Sequence, residues 1–417
     1  MANDMVCLSI VRIRLQMIWL VPVTLILVFG AAVVPVGAQA AGAECTELTD
    51  PEVIEQVNAA RQEGKRLFGA RRYSDAVTSY EVAITAYPCD AATFYNAGLA
   101  YSRLSRTEEA IDALGKAVEL DPSHMNARLN IANALLRSGA LDLAGAKYQE
   151  TKTLATEDDK IVSQCEHGLL SVATKHLKAA NNALRRKRYG ETITRTEQAI
   201  VLNPNLSKAY ILAGKAHLAQ RTSQHLTQAA QMFEQAGSVA HTARDSAASL
   251  QGLGDVARKQ GYAAAKAKRQ ERARRKWRTA LGYYTRSLAL ESKSKAALIN
   301  AGDLYVKLRR YQEATEVLQR AVAMDSNSRA AAGAYRKLAE SYNALGRCPQ
   351  AESAARSSLG IVRTDASSRV ALGEALRCQG KSRQAISEFQ MAARNRRWKA
   401  YADHQVKEMT EELNDVD

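Results

Sequence analysis

A set of small and large residues returns along this chain at a fixed distance, and nothing else in the sequence restricts the fold as tightly. From Ala91 to His124 the chain reads AATFYNAGLAYSRLSRTEEAIDALGKAVELDPSH. With Ala91 as position 1 of a 34-residue unit, Phe94, Ala97, Gly98 and Tyr101 fall at positions 4, 7, 8 and 11, and Ala110, Leu114, Ala117 and Pro122 at 20, 24, 27 and 32. The register appears earlier at Gly64, Tyr73, Ala76, Tyr80, Ala83 and Pro88. It returns at Ala132, Gly139, Ala144 and Tyr148, then at Tyr189, Ala199 and Pro204. Tyr210, Gly214, Phe233 and Ala236 mark a unit with three extra residues. Leu253, Gly254 and Gly261 begin an interrupted unit that resumes at Trp277, Ala280 and Tyr284. Later copies stand at Gly302, Tyr305, Ala314 and Leu318, at Leu338, Ala339, Tyr342 and Ala351, and at Leu372, Gly373, Ala385 and Phe389. Nine units cover roughly Val57 to Lys399. Self-similarity at this period signals stacked units, none of which can bury its apolar face alone.

The residues between these markers favour helix. Ala, Leu, Glu, Gln, Lys and Arg run through the chain, and no Val/Ile/Thr-rich stretch alternates as a strand would. Only seven prolines interrupt 417 residues, so the chain is read as all-α. Small residues at positions 8, 20 and 27 let two antiparallel helices approach, and large ones at 4, 7, 11, 17 and 24 fill the space between them. This pattern resembles the tetratricopeptide repeat over most of the chain. The resemblance implies an α-solenoid, a right-handed superhelix of about nine helical hairpins closed by a C-terminal capping helix. It also implies a non-catalytic scaffold or adaptor that takes extended peptide segments or partner proteins in its concave groove.

The expected division follows the register. Residues 1–40 read as a signal peptide or N-terminal membrane anchor, 41–56 as an extension, and 57–158 as units one to three. Units four and five, with an elongated first helix, take 159–243; unit six, with a basic insertion at 262–276, takes 244–294. Units seven to nine occupy 295–399, and 400–417 caps the array. The export reading rests on Arg12 and Arg14 ahead of an uncharged apolar run, Met17 to Val36, followed by Ala38-Gln39-Ala40. That run has the length to span a bilayer, so cleavage and retention both stand, although Pro22 and Pro35 weigh against a spanning helix. Either way the folded part is expected outside the cytoplasm, periplasmic or extracytoplasmic, soluble or tethered. There it would organise an envelope assembly or serve as a scaffold subunit of an envelope enzyme or export complex.

An exported chain can form disulfides. In the register Cys348 opens a second helix and Cys378 closes the first helix of the next unit, so a Cys348–Cys378 bridge is expected. Cys45 and Cys89 form a second candidate pair, and Cys165 is left as a buried thiol or an intermolecular partner.

Catalytic signatures are absent: there is no HExxH, GxSxG, P-loop or strand-linked GxGxxG, and no two of the seven histidines stand at i,i+4 with a partnering acid. No cofactor or metal is expected. In the family, positions 2, 5, 6, 9, 12 and 13 of the first helices line the groove. The resemblance therefore assigns peptide contact to Asn96, Asn130, Asn133 and Asn300, with Arg61, Lys65, Arg103, Arg137 and Lys307 receiving carboxylates. The other reading is a solvated inner face. Asn126 and Asn130 stand where the family's carboxylate clamp has lysine and arginine.

Nearly half of the formal charge of +15 is local. Lys266, Lys268, Arg269, Arg272, Arg274, Arg275, Lys276 and Arg278 face a single acid, Glu271, between residues 262 and 278. The patch is read either as a solvated arm or as a binder of anionic lipid, cell-wall polymer or an acidic partner. Nucleic acid is disfavoured by export.

Overall fold

The computed structural model describes Cys45 and residues 48–414; the stretch 1–40 read from sequence as a signal peptide or anchor, with Cys7, and the last three residues lie outside the described residues. Among those described, nineteen helices form and no strand does. They pair as antiparallel hairpins in chain order. The first three are α1 (Pro51–Gly69) with α2 (Tyr73–Ala86), α3 (Ala91–Arg103) with α4 (Thr107–Leu120), and α5 (Met125–Ser138) with α6 (Leu141–Leu154). Next come α7 (Asp159–Arg185) with α8 (Tyr189–Leu202), α9 (Ser207–Gln220) with α10 (Ser223–Ser238), and α11 (Ala243–Lys266) with α12 (Gln270–Leu290). The last are α13 (Lys295–Lys307) with α14 (Tyr311–Met324), α15 (Arg329–Ala344) with α16 (Cys348–Ile361), and α17 (Ala366–Cys378) with α18 (Ser382–Ala392). Helix α19 (Lys399–Asn414) packs on α18 and buries Ala402 and Met409.

The two helices of a hairpin start by different means. Eight first helices carry a side-chain cap, such as Asp90 on α3, Asp158 on α7 and Ser328 on α15, which satisfies an amide the helix leaves open. At α1 the cap is Asp50, and with Pro51 in the first turn it starts the helix inside the stretch read from sequence as an extension. Second helices, α10 apart, lack such a cap because a tight turn feeds them directly. Each of the nine turns holds one left-handed residue: Arg71, Ser105, Gly139, Lys187, Arg221, Lys268, Arg309, Gly346 and Gly380. The arginine that follows often pairs with the acid three residues on, as Arg106 does with Glu109 and Arg310 with Glu313.

The core is built from one repeated contact. A large side chain of the second helix lies on the bare backbone of a first-helix glycine, as Tyr80 does on Gly64, Leu114 on Gly98, Tyr284 on Gly254 and Leu318 on Gly302. A Cβ at those glycines would sit 2.5–2.7 Å from the partner's carbons, closer than any real contact. These partners are buried, each stabilising the fold by about 2 kcal/mol on transfer alone. Phe233 uses both ring faces, meeting Gly214 of its own hairpin and Gly252 of the next.

Two departures from the period keep this contact. The non-periodic stretch 155–172 becomes the first half of α7, a helix of 27 residues, whose Gly168 receives Tyr148 from α6. The basic insertion lengthens both helices of the sixth hairpin, to 24 residues in α11 and 21 in α12, around the turn at Lys268. The added length has its own apolar seam, with Trp277 on Gly261 and Ala264 and Ala273 buried. Cys348 and Cys378 are bonded, with Cα atoms 6.0 Å apart, and tie α16 to α17. Cys45 and Cys89 are each disulfide-bonded. Cys165 is a buried free thiol whose burial raises its pKa and disfavours the reactive thiolate.

These contacts predict opposite outcomes for two similar changes. Tyr284 cannot retreat, because its hydroxyl donates to Asp255 Oδ1 (2.7 Å) and accepts from Arg258 Nε (3.2 Å). Gly254→Ala is therefore expected to destabilise by about 1–3 kcal/mol in denaturant melts. Gly282→Ala, at an exposed site on α12 with nothing within 4 Å, is expected to stabilise by about 0.5–1 kcal/mol. A second expectation concerns pH. His176 is fully buried with neither ring nitrogen hydrogen-bonded, and burial lowers its pKa against the opposing pull of Asp142, 3.6 Å away and exposed. Burial, with His225 adding to it, lowers that of His217 too. The unfolded chain then takes up protons that the folded chain refuses. Stability is full above about pH 6.5 and falls as pH drops below it. Melting temperatures between pH 7.5 and 5 should show this fall, and His176→Leu should flatten it; an unchanged slope would exclude His176 as a source.

Candidate protein-binding groove

First helices touch one another across hairpins, α5 with α7, α7 with α9, α9 with α11, α13 with α15 and α15 with α17. The first helices therefore form the inner, concave side of the stack. Three clefts open along it. One, of about 470 Å³, lies between α5 and α7 and includes Asn126, Leu129, Asn130 and Asn133. A second, of about 730 Å³, is shared by α7, α9 and α11. The third, of about 250 Å³, runs over α13, α15 and α17 and includes Lys307, Arg336, Lys337 and Glu374. Asn126, Leu129, Asn130 and Asn133 fall on positions 2, 5, 6 and 9 of their unit, as Lys208, Ile211, Leu212 and Lys215 do in theirs.

Four of the nine groove residues named from sequence are engaged within the protein. Arg61 pairs with Asp90 at 3.2 Å. Asn130 donates to its own helix at the Asn126 carbonyl (2.8 Å) and, at 3.4 Å, to Tyr95 Oη. Asn133 Oδ1 accepts from the Tyr148 hydroxyl (2.6 Å). Asn300 Nδ2 donates to Asp255 Oδ1 of the preceding hairpin (2.9 Å). Asn96 is half-buried, while Lys65, Arg103, Arg137 and Lys307 are exposed and have no ion pair among the described residues. The basic residues of the insertion are exposed except Lys276, which is half-buried, and Arg274 pairs with Glu271 at 3.3 Å.

The C-terminal half of the groove is stitched along its length. Asp303 is held by Lys337 of the next hairpin and by the Tyr262 hydroxyl of the previous one. Burial alone would raise the Asp303 pKa, but the Lys337 ammonium and these hydrogen bonds outweigh it and lower the value, keeping the carboxylate charged. Glu374 behaves oppositely. Burial raises its pKa, only partly offset by hydrogen bonds from Tyr401 (2.9 Å) and Asn343 (3.2 Å), and Glu340 adds repulsion. These groups brace neighbouring repeats.

The middle cleft differs. Lys178 and Asn181 occupy positions 6 and 9 of the fourth unit, and Lys208 and Lys215 positions 2 and 9 of the fifth. None of the four has a hydrogen bond or ion pair among the described residues. Leu177, Ile211, Leu212 and Ala248 supply an apolar floor. Arg244 adds a further cation, and Asp245, the one acid of the lining, accepts from Ser207 at 2.9 Å. This set was missed in the sequence, although the register at Gly214 and Ala199 points to it. Among the described residues no group of three or more His, Cys, Asp or Glu could hold a metal ion.

Sequence models of the tetratricopeptide repeat match residues 61–112, 95–159 and 271–338. DnaJ homolog subfamily C member 3 of Bos taurus is 26% identical over 140 residues, covering 33% of this chain and 27% of that protein. Hsp70-Hsp90 organizing protein 1 of Glycine max is 32% identical over 80 residues, 19% of this chain and 14% of that protein. The chain thus spans about a quarter or less of these relatives' length. A solved thermophilic TPR protein of Thermus thermophilus is 19% identical, covering 49% of this chain and 99% of that one, with a TM-score of 0.36.

Proposed function

Since the chain is a tetratricopeptide-repeat protein, we propose that it is a non-catalytic scaffold holding an extended segment of a partner protein in the cleft between α7, α9 and α11. The observation that carries this reading is the set of unpaired polar groups there. Elsewhere in the groove Asn300 and Lys337 are spent on neighbouring repeats and Asn130 and Asn133 mainly within their own hairpin, whereas Lys178, Asn181, Lys208 and Lys215 converge on one cleft and retain their full bonding capacity over an apolar floor. Four cations against one engaged acid select a segment rich in carboxylates, and the leucines and Ile211 select an aliphatic residue among them. The Asn181 amide can bond the segment's backbone whatever its sequence. A role in holding other proteins is also the kind of task named for the relative that organizes Hsp70 and Hsp90.

We place this work outside the cytoplasm, within an envelope assembly. The leader-like pattern of residues 1–40 and the Cys348–Cys378 bond support that setting. Thiol labelling of the chain from rapidly quenched cells is expected to leave Cys348 and Cys378 unlabelled; labelling of both would assign a reducing compartment.

Panning a displayed peptide library against the purified chain is expected to enrich acidic segments with aliphatic residues. Binding of a selected peptide should weaken with added salt, and Lys208→Glu with Lys215→Glu should weaken it by roughly tenfold or more. Enrichment of basic or charge-free peptides, or full binding by the double variant, would overturn the reading.

A further inference from the structure

The lengthened hairpin makes a second cleft that shares no residue with the groove. Helices α11 and α12 reach to the turn that joins α9 to α10, and a cavity of about 430 Å³ opens between them. Arg221 and Ser223 line it from that turn, Gln260 from α11, and Arg269, Arg272 and Lys276 from the start of α12. The insertion thus supplies three of its cations, and Arg221, far away in sequence, supplies the fourth. No carboxylate lines the cavity, and none of the four cations has an ion pair among the described residues. Glu271, the one acid of the segment, is paired with Arg274 instead.

Such an arrangement is unfavourable when empty, because four like charges converge with no counter-charge in the protein. It becomes favourable around a multivalent anion. Three guanidinium groups present planar donor forks that match phosphoryl oxygens two at a time, and Lys276 adds a point charge. Ser223 opens α10, so the positive end of that helix adds to the same field. Gln260, Ser223 and the neighbouring Thr227 provide neutral donors at the rim. The half-burial of Lys276, alone among the basic residues of the insertion, places it at the cleft rather than in open solvent.

We propose that this cleft binds a phosphate-bearing anion with more than one phosphoryl group or charge, presented either on a lipid headgroup or as a free polyphosphate. The site is independent of the peptide groove. The test uses the full chain with two probes: inorganic tripolyphosphate, followed by calorimetry, and phosphatidylcholine vesicles with and without phosphatidic acid, followed by sedimentation. Arg272→Ala with Lys276→Ala removes two lining cations, and Arg275→Ala with Arg278→Ala removes the same charge from exposed positions outside the cleft. The cleft variant is expected to lose about tenfold or more in affinity and the control variant less than about threefold. Binding of tripolyphosphate identifies a free anion, and binding of acidic vesicles alone identifies a headgroup; either supports the site. Equal loss in both variants would mean a diffuse basic surface, and failure of the folded wild-type chain to bind either probe would leave no site; each overturns the proposal.

Discussion

A broad side chain laid on a glycine backbone is the contact on which this molecule is assembled. In the regular hairpins the two residues are sixteen positions apart, as in Gly98 with Leu114 and Gly302 with Leu318. That separation is set by one helix, one tight turn and the return of the next, so the pairing fixes the depth at which the helices cross. Where the chain carries extra residues the contact survives. Gly214 still meets Phe233 across three more, and Gly254 still meets Tyr284 although the basic insertion lies between them. Insertions are absorbed by lengthening the hairpin outward because its root is already clamped.

Contacts of this kind link each unit only to its neighbours, so the array behaves as a line of coupled elements. Phe233, shared by Gly214 and Gly252, shows how one side chain serves both its own hairpin and the junction to the next. The polar inner face follows the same logic in a second currency. From the sixth hairpin onward, Asp255, Asp303 and Glu374 accept hydrogen bonds from other elements of the stack, which stiffens that stretch and withdraws its side chains from recognition. Between α7 and α11 the bonds across hairpins are made by Ser207 to Asp245 and by Lys259 to the Leu218 carbonyl, which leaves Lys178, Asn181, Lys208 and Lys215 open.

The fold was legible because its cause is local. Gly98 and Leu114, or Tyr80 and Gly64, are residues of one hairpin, and their spacing recurs in plain view. The length of α7 was legible too, since the loss of period at 155–172 left a longer helix as the simplest account. The binding face was not. Whether an asparagine at position 6 is free depends on what the preceding repeat places opposite it. Asn300 meets Asp255, whereas Lys178 at the same position of another unit meets nothing. Composition flagged the run from Lys266 to Arg278, but not that Arg221 from a different hairpin would join it, because that meeting depends on how far the lengthened helices reach.

The bond between Cys348 and Cys378 has a mechanical consequence. It joins the start of α16 to the end of α17, and beside it Glu352 pairs with Lys381 at 2.9 Å and accepts from Gln379 at 2.8 Å. A row of hairpins pulled or heated from one end would ordinarily peel away one hairpin at a time. Here the last two are riveted across their seam, so the terminal hairpin cannot swing free of the one before it. Peeling from that side must take both at once, and the far end of the rod gives way in a larger step than any other neighbouring pair would if left unriveted.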